Sequence, residues 1–399
     1  MASVKHLIPE KGLLMRRLWK TRGRSLTITA LVALATQAVA ASEPTISTPS
    51  GQTSSTVNSP LGFTARSRPD QLKAESQALA VPTPENARSW LRILTAEPHV
   101  AGTPADYKTA VFVRDKLREW GWKADLEELE VLLNYPLNSP QLAIERPIAR
   151  RLSVDEAPLA TDKDSASSAA FGAFHGYGVS GRVSGQVVYV NYGRPEDYVA
   201  IEKMGIDVKE KIVLARYGGL FRGLKVRNAQ KRGAAGILIF SDPADDGFAK
   251  GDVYPNGRFR PGSAIQRGSV QFLSLGPGDP STPFGPSVKG AKRLPIDFSN
   301  GFPLKGPGDK TAGGIGGGND DRIVEEWEKS GLKREDYFAT IPCIPIGYDT
   351  AHEILKVVAG ANVPTGWQGG LPLPYHVGPG PAEVLMSVRS EERRVGKEC

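Results

Sequence analysis

IVLARYGGLFRGLKVRNAQKRGAAGILIF, residues 212–240, is the stretch on which the fold turns. Ile212-Val213-Leu214-Ala215-Arg216-Tyr217 and Ile237-Leu238-Ile239-Phe240 are short apolar runs bounded by glycine, which is how buried strands read. Between them, Leu224 to Arg232 reads as a helix that stops at Gly233, because glycine readily takes the conformation that ends a helix. The product is a strand-helix-strand unit. Tyr217-Gly218-Gly219-Leu220-Phe221-Arg222-Gly223 follows a strand and enters a helix, yet it lacks the glycine spacing of a dinucleotide fingerprint and the lysine-serine pair of a P-loop. Arg222 draws notice for another reason. A guanidinium beside flexible glycines at a helix start can grip a carboxylate with two hydrogen bonds, and the plain alternative is a solvated surface arginine.

Working outward, residues 138–372 keep this texture of short apolar runs separated by glycine and proline, and Val187-Val188-Tyr189-Val190 is a further strand. Pro303 to Asn319, with Gly-Gly-Ile-Gly-Gly-Gly at 313–318, reads as a mobile insertion. A last helix around Thr350 to Val358 precedes an extended segment, Leu371 to Val388. Upstream, Thr83-Pro84-Glu85 is an N-cap with proline at the first helical position, and Ala87, Trp90, Leu91 and Leu94 follow at helical spacing. Thr103 and Pro104 repeat that grammar before Tyr107, Ala110, Val111 and Leu117, and the second helix ends at Gly121. Val131-Leu132-Leu133 is strand-like. Residues 41–82, rich in Ser, Thr, Pro and Gln, offer too little apolar surface to offset their ordering entropy and read as a disordered linker.

The chain has 399 residues, enough for two or three domains, with 44 glycines and 31 prolines. That is about a fifth of the chain, above the usual ~12% and below the roughly 25–30% of low-complexity chains, so the protein is folded and loop-rich. Its formal charge of +7 invites a nucleic-acid reading. Residues 1–25, however, carry seven basic residues against Glu10 alone, and residues 26–388 are neutral overall. The nucleic-acid class is excluded accordingly. The basic stretch is followed by an uncharged run from Leu26 and by Ala38-Val39-Ala40, the three parts of a secretory signal over residues 1–40. Either a cleaved signal or, as the alternative, a retained membrane anchor exports the rest to the periplasm or medium. Residues 389–399, RSEERRVGKEC, resemble the translation of a sequencing-library adapter and are set aside from fold reasoning; on that reading the natural chain continues past Val388. Cys399 lies in that stretch, so Cys343 is left without an intramolecular partner.

Catalytic hardware is sparse. Histidines occur only at 6, 99, 175, 352 and 376. His352-Glu353 begins like a zincin helix, but Lys356 stands where the second imidazole is needed. Glu127-Glu128 and Glu325-Glu326 read as solvated faces, and there is no G-x-S-x-G nucleophile elbow.

Taken together, Pro98-His99-Val100-Ala101-Gly102-Thr103, the Ala215-to-Ala229 stretch, Ser241-Asp242-Pro243-Ala244-Asp245, Tyr254-Pro255, Gln266-Arg267-Gly268, Gly278-Asp279-Pro280, Thr282-Pro283, Ile344-Pro345-Ile346-Gly347-Tyr348 and Pro374-Tyr375-His376-Val377-Gly378-Pro379-Gly380 resemble the glutamate carboxypeptidase II family, which includes the N-acetylated-alpha-linked acidic dipeptidases and receptor-like relatives. The resemblance implies an α/β fold with α+β character: a strand-rich protease-associated (apical) domain at 138–372 inserted in an α/β zinc-peptidase domain. The first peptidase segment is 83–137, and the chain returns to that domain at 373–388. It implies a carboxypeptidase or dipeptidase that uses two zinc ions on small peptides, with a homodimer in the longer parent. The zinc ligands and general base fall downstream of this chain, so no zinc is expected in it and it should be inactive alone. The alternative is a non-catalytic recognition module. Arg222 matches the family arginine that binds the substrate's terminal carboxylate, and Phe221 the aromatic beside it. Thr282 matches a ligand of a structural Ca2+ site whose acidic ligands are missing here; such a cation needs six to eight oxygens, so half a site binds weakly. Glutamate-specific members carry an asparagine after Tyr-Pro where this chain has Gly257-Arg258-Phe259-Arg260, so a preference for C-terminal glutamate is not implied.

Overall fold

The computed structural model describes residues 61–272, 278–294, 321–331 and 338–395. The signal at 1–40 and the insertion at 303–319 lie outside the described residues. The chain separates into two compact units, Met1–Leu79 and Ala80–Cys399. Helix α1 (Arg68–Ala80) buries no residue. This corrects the reading of 41–82 as disordered throughout: Gln71 to Ala80 are nearly all strong helix formers, and the Ser67 N–H donates to Thr64 Oγ1 at 3.2 Å just before the first turn. Intrinsic propensity rather than burial accounts for this helix.

In the second unit, α2 (Pro84–Leu94) and α3 (Pro104–Glu119) start where their caps place them. Thr83 Oγ1 accepts from the Asn86 N–H at 3.1 Å and Thr103 Oγ1 from that of Asp106 at 3.4 Å. Neither helix buries a residue; Trp90 meets Trp120 with ring centroids 5.1 Å apart, and Leu91 is 60% exposed.

The core is a seven-stranded mixed sheet. Its strands are β2 (Gln141–Arg146), β3 (Arg150–Leu152), β5 (Gly181–Tyr189), β6 (Ile212–Arg216), β7 (Gly236–Phe240), β9 (Cys343–Ile346) and β10 (Glu383–Val388), in the order β3-β2-β10-β5-β6-β7-β9. From β5 to β9 all pairs are parallel, with Val187 opposite Ile212, Leu214 opposite Leu238 and Leu238 opposite Ile344. Every residue of β6, β7 and β9 is buried, which is why these segments, Arg216 apart, read as apolar runs. Helices α4 (Pro195–Lys203) and α5 (Arg222–Gln230) make the crossovers, α6 (Pro243–Asp246) follows β7, α7 (Asp321–Lys329) stacks Trp327 on Phe338, and α8 (Tyr348–Leu355) follows β9.

Two segments take places the sequence did not suggest. Residues 373–388, expected to return to the peptidase domain, instead supply β10, which runs antiparallel between β2 and β5 and buries Val384, Met386 and Val388 on one face. The stretch set aside at 389–399 contributes β11 (Ser390–Val395), antiparallel to β1 (Val131–Pro136). A ladder forms backbone to backbone, so an edge strand accepts an extended partner with little regard to its side chains.

Finally, β4 (His175–Gly176) pairs parallel with β8 (Gly268–Ser269). His175 is buried, with Nδ1 3.1 Å from the Gly268 carbonyl. Burial lowers its pKa to about 3, against the Gly268 hydrogen bond and with the Arg222 charge. The ring is therefore neutral, and its Nδ1–H donates to Gly268.

Hydrogen exchange should find the amides of α2 and α3 opening more readily than those of β6 and β7, since protection follows burial; equal protection would contradict this account. A histidine held neutral in the fold binds fewer protons than when unfolded. Its contribution is complete above pH ~6.5 and falls toward pH 3 by up to about 1.4 kcal/mol per pH unit. Denaturant unfolding between pH 7 and 5 should give His175→Gln a shallower pH slope than wild type, and identical slopes would refute the assignment.

Candidate functional site

At the carboxyl end of β6 the chain must turn sharply into α5. Gly218 and Gly219, at φ +93° and +64°, make that turn in a conformation that side chains disfavour, and the Tyr217 N–H donates to the Phe240 carbonyl at 2.7 Å. Phe221 caps α5 without a side-chain hydrogen bond and is 39% exposed. Arg222 opens the helix. Its guanidinium carbon lies 5.3 Å from the Phe221 ring centroid and 6.0 Å from that of Tyr217. Gly268, at φ +147°, closes the other side: a Cβ there would stand 2.4 Å from Arg222 Nη1. His175 holds the Gly268 carbonyl, and the Tyr217 hydroxyl donates to Gln266 O at 2.6 Å, so β4, β6 and the strand β8 together shape one cradle around Arg222. Phe221 and Arg222, adjacent in sequence, both face this cradle. Burial, partly offset by the Arg222 charge, raises the Tyr217 pKa well above its ordinary value, so its hydroxyl stays protonated.

The buried polar groups near this turn differ in how they are hydrogen-bonded. Arg216 is buried but satisfied: Nε and Nη2 donate to Asn191 Oδ1 at 3.0 and 2.7 Å, Nη1 lies 3.5 Å from Asp245, and the guanidinium stacks 4.2 Å above Tyr192. Asp242 is equally engaged, accepting from the Ala244 and Gly370 N–H groups at 2.9 and 2.8 Å and from the Tyr375 hydroxyl at 2.6 Å. These two fasten loops. Arg222 Nε is buried and has no hydrogen-bond partner among the described residues. Arg194 Nε, Arg227 Nε, the Tyr198 hydroxyl and His376 Nδ1 share that feature; the Arg194 guanidinium also lies 3.7 Å from Glu196, and that of Arg222 also hydrogen-bonds the Tyr217 side chain. A buried donor left unpaired costs about 1–3 kcal/mol, so each such atom calls for an explanation.

Thr282 lies in a separate turn. Its Oγ1 accepts from the Asp279 N–H at 3.0 Å and contacts Ser287 Oγ at 2.8 Å. The Asp279 carboxylate accepts from the Leu132 N–H at 2.8 Å and from Ser281, and pairs with Arg293 at 3.1 Å. The turn is thereby fastened to β1, and a cation placed beside Asp279 would have to displace Arg293. Among the described residues no three His, Cys, Asp or Glu side chains come together in a group that could hold a metal ion. The described residues therefore do not build a zinc centre, and no hydrolytic step is assigned to them.

Sequence reasoning missed His175, Gly268 and Tyr217 as the cradle. Gly268 did stand in one of the recognisable blocks, Gln266-Arg267-Gly268, and a glycine at fixed distance from an arginine-bearing block was the available signal. His175 had none, since a buried histidine leaves no periodic trace.

Comparison with known proteins bears on this geometry. The PA domain model matches residues 183–273, which span β5 to the cradle's Gly268. A glutamate carboxypeptidase 2 homolog of Caenorhabditis briggsae is 36% identical over 74% of this chain and 35% of its own length. A probable glutamate carboxypeptidase of Arthroderma benhamiae is 44% identical over 49% of this chain and 27% of its own. Among solved structures, an aminopeptidase from Aneurinibacillus sp. strain AM-1 aligns over 78% of this chain and 45% of that one, at 14% identity and a TM-score of 0.34. The chain spans about a third of the length of the curated relatives it matches. It is a homologue of the glutamate carboxypeptidases over the residues it shares with them, with a PA domain at 183–273.

Proposed function

We propose that this chain is the substrate-anchoring part of an exported zinc-dependent exopeptidase that releases C-terminal residues from small peptides. Arg222 grips the terminal carboxylate, and Phe221 covers it. The observation that carries this reading is the buried, unpaired Nε of Arg222 in a cradle closed by Gly268, at the helix start that follows a parallel strand. In open parallel sheets ligands bind outside the carboxyl ends of the strands. A guanidinium there meets a carboxylate through two parallel N–H···O bonds, which supply direction as well as charge. Homology to glutamate carboxypeptidases supports the peptidase class, and the PA domain shapes access to the scissile bond. Zinc, export and a homodimer of the longer protein are part of the same proposal, resting on the resemblance and on the signal at 1–40. Because the described residues hold no metal-binding group, the chain by itself should bind peptide without cutting it.

Two measurements check this. In calorimetry with N-acetyl-alanyl-alanine, replacing the terminal carboxylate by an amide, or Arg222→Gln in the protein, should each weaken binding roughly 10- to 100-fold, the worth of about 1.5–3 kcal/mol for a charge-assisted hydrogen bond. Equal affinity for acid and amide would sink the carboxylate role and favour a recognition module instead. Separately, the purified chain should leave the dipeptide intact and hold no stoichiometric zinc; chelator-sensitive cleavage would overturn the claim of inactivity.

A further inference from the structure

Lys225 has no place in the reading above, yet it is fully buried on the first turns of α5, one helical turn beyond Arg222. Its Nζ donates to two main-chain carbonyls, Tyr192 O at 2.5 Å and Gly218 O at 2.7 Å. These belong to different loops. Tyr192 lies after β5, and Gly218 begins the glycine turn after β6. Asn228, farther along α5, donates from Nδ2 to Gly193 O at 2.9 Å. Two side chains of one helix therefore hold three carbonyls that neither the strands nor the helices satisfy.

Burying an ammonium is costly, and lysine is rarely found fully buried unless its donors are used. A surface helix position would cost nothing. The charged groups around Lys225 are Asp197 of α4, Asp245 of α6, Arg194 of the β5 loop and Arg216 of β6, and the Tyr192 ring lies 5.7 Å from Nζ. Burial, the largest influence, lowers its pKa to about 7. Charged or neutral, the nitrogen keeps at least two N–H bonds, enough for both carbonyls.

We propose that Lys225 is the positioning residue for Arg222: a strut that ties the β5 and β6 loops to the first turn of α5 and so fixes the guanidinium within its cradle. On the Gly268 side that cradle is close, since even a Cβ there would meet the guanidinium. The proposal rests on the carboxylate-binding reading of Arg222 for its functional consequence, though not for the strut itself.

The test uses the full chain, with Lys225→Met, which keeps the length of the side chain and removes its donors, beside Arg222→Gln. Hydrogen exchange is read at Gly193 and Leu220, whose N–H groups bond within the two loops at 2.8 and 2.7 Å, with Leu238 of β7 as the reference. Lys225→Met should speed exchange at Gly193 and Leu220 at least tenfold, leave Leu238 unchanged, and weaken N-acetyl-alanyl-alanine binding at least fivefold. Arg222→Gln should weaken binding without changing exchange. Unchanged exchange in Lys225→Met overturns the strut, and faster exchange with undiminished affinity overturns the positioning role. Should Arg222→Gln bind as wild type does, the carboxylate reading fails and the exchange result alone judges the strut. If Lys225→Met does not fold, scalar coupling across the hydrogen bonds in wild type, from Lys225 15Nζ to the carbonyl carbons of Tyr192 and Gly218, decides: its presence supports the strut and its absence refutes it.

Discussion

Parallel pairing of β6 with β7 is the constraint from which the rest follows. Two parallel neighbours cannot be joined by a tight turn, so the chain must leave the carboxyl end of β6, cross the sheet as a helix and re-enter at the amino end of β7. That obligation places α5 after β6 and puts its first residue, Arg222, at the sheet's carboxyl edge. Apart from Arg216 at the end of β6 the two strands are apolar, which leaves polar groups to their carboxyl ends and the loops beyond.

The polar groups at the edge divide by whether the protein completes their hydrogen bonds. Arg216, Asp242 and Lys225 are buried and engaged with carbonyls, amides or opposite charges. Their work is to bind loops together, since a buried polar group contributes order only when its partners are all in place. Arg222 Nε is left open in a cradle whose walls are glycine, histidine and aromatic rings. Together with its place at the start of α5 beyond the carboxyl end of β6, that makes it the candidate ligand-binding group.

The central unit was legible because its physics is local in sequence: two apolar runs, a glycine stop and a helix between them map onto β6, α5 and β7 within two residues. The caps at Thr83 and Thr103 were legible for the same reason. Less legible was the antiparallel side of the sheet. Strands β2 and β10 are neighbours although some 240 residues separate them, and nothing in either run names the other. Helix α1 escaped notice because composition was weighed for burial and not for propensity. In the site, Arg222 stood out by its glycines, whereas Lys225 reads in sequence as one more basic residue of a polar helix. Its burial depends on the Tyr192 and Gly218 carbonyls, which only the fold brings within reach.

The claim that Arg222 waits for a carboxylate is tested most directly at the atom concerned. In the arginine Nε–H region of an NMR spectrum, titration of the 15N-labelled chain with an N-acetylated dipeptide should shift the Arg222 resonance downfield and slow its exchange with water, while Arg216, already bonded to Asn191, stays put. A saturating titration in which Arg222 Nε–H does not move would contradict the account.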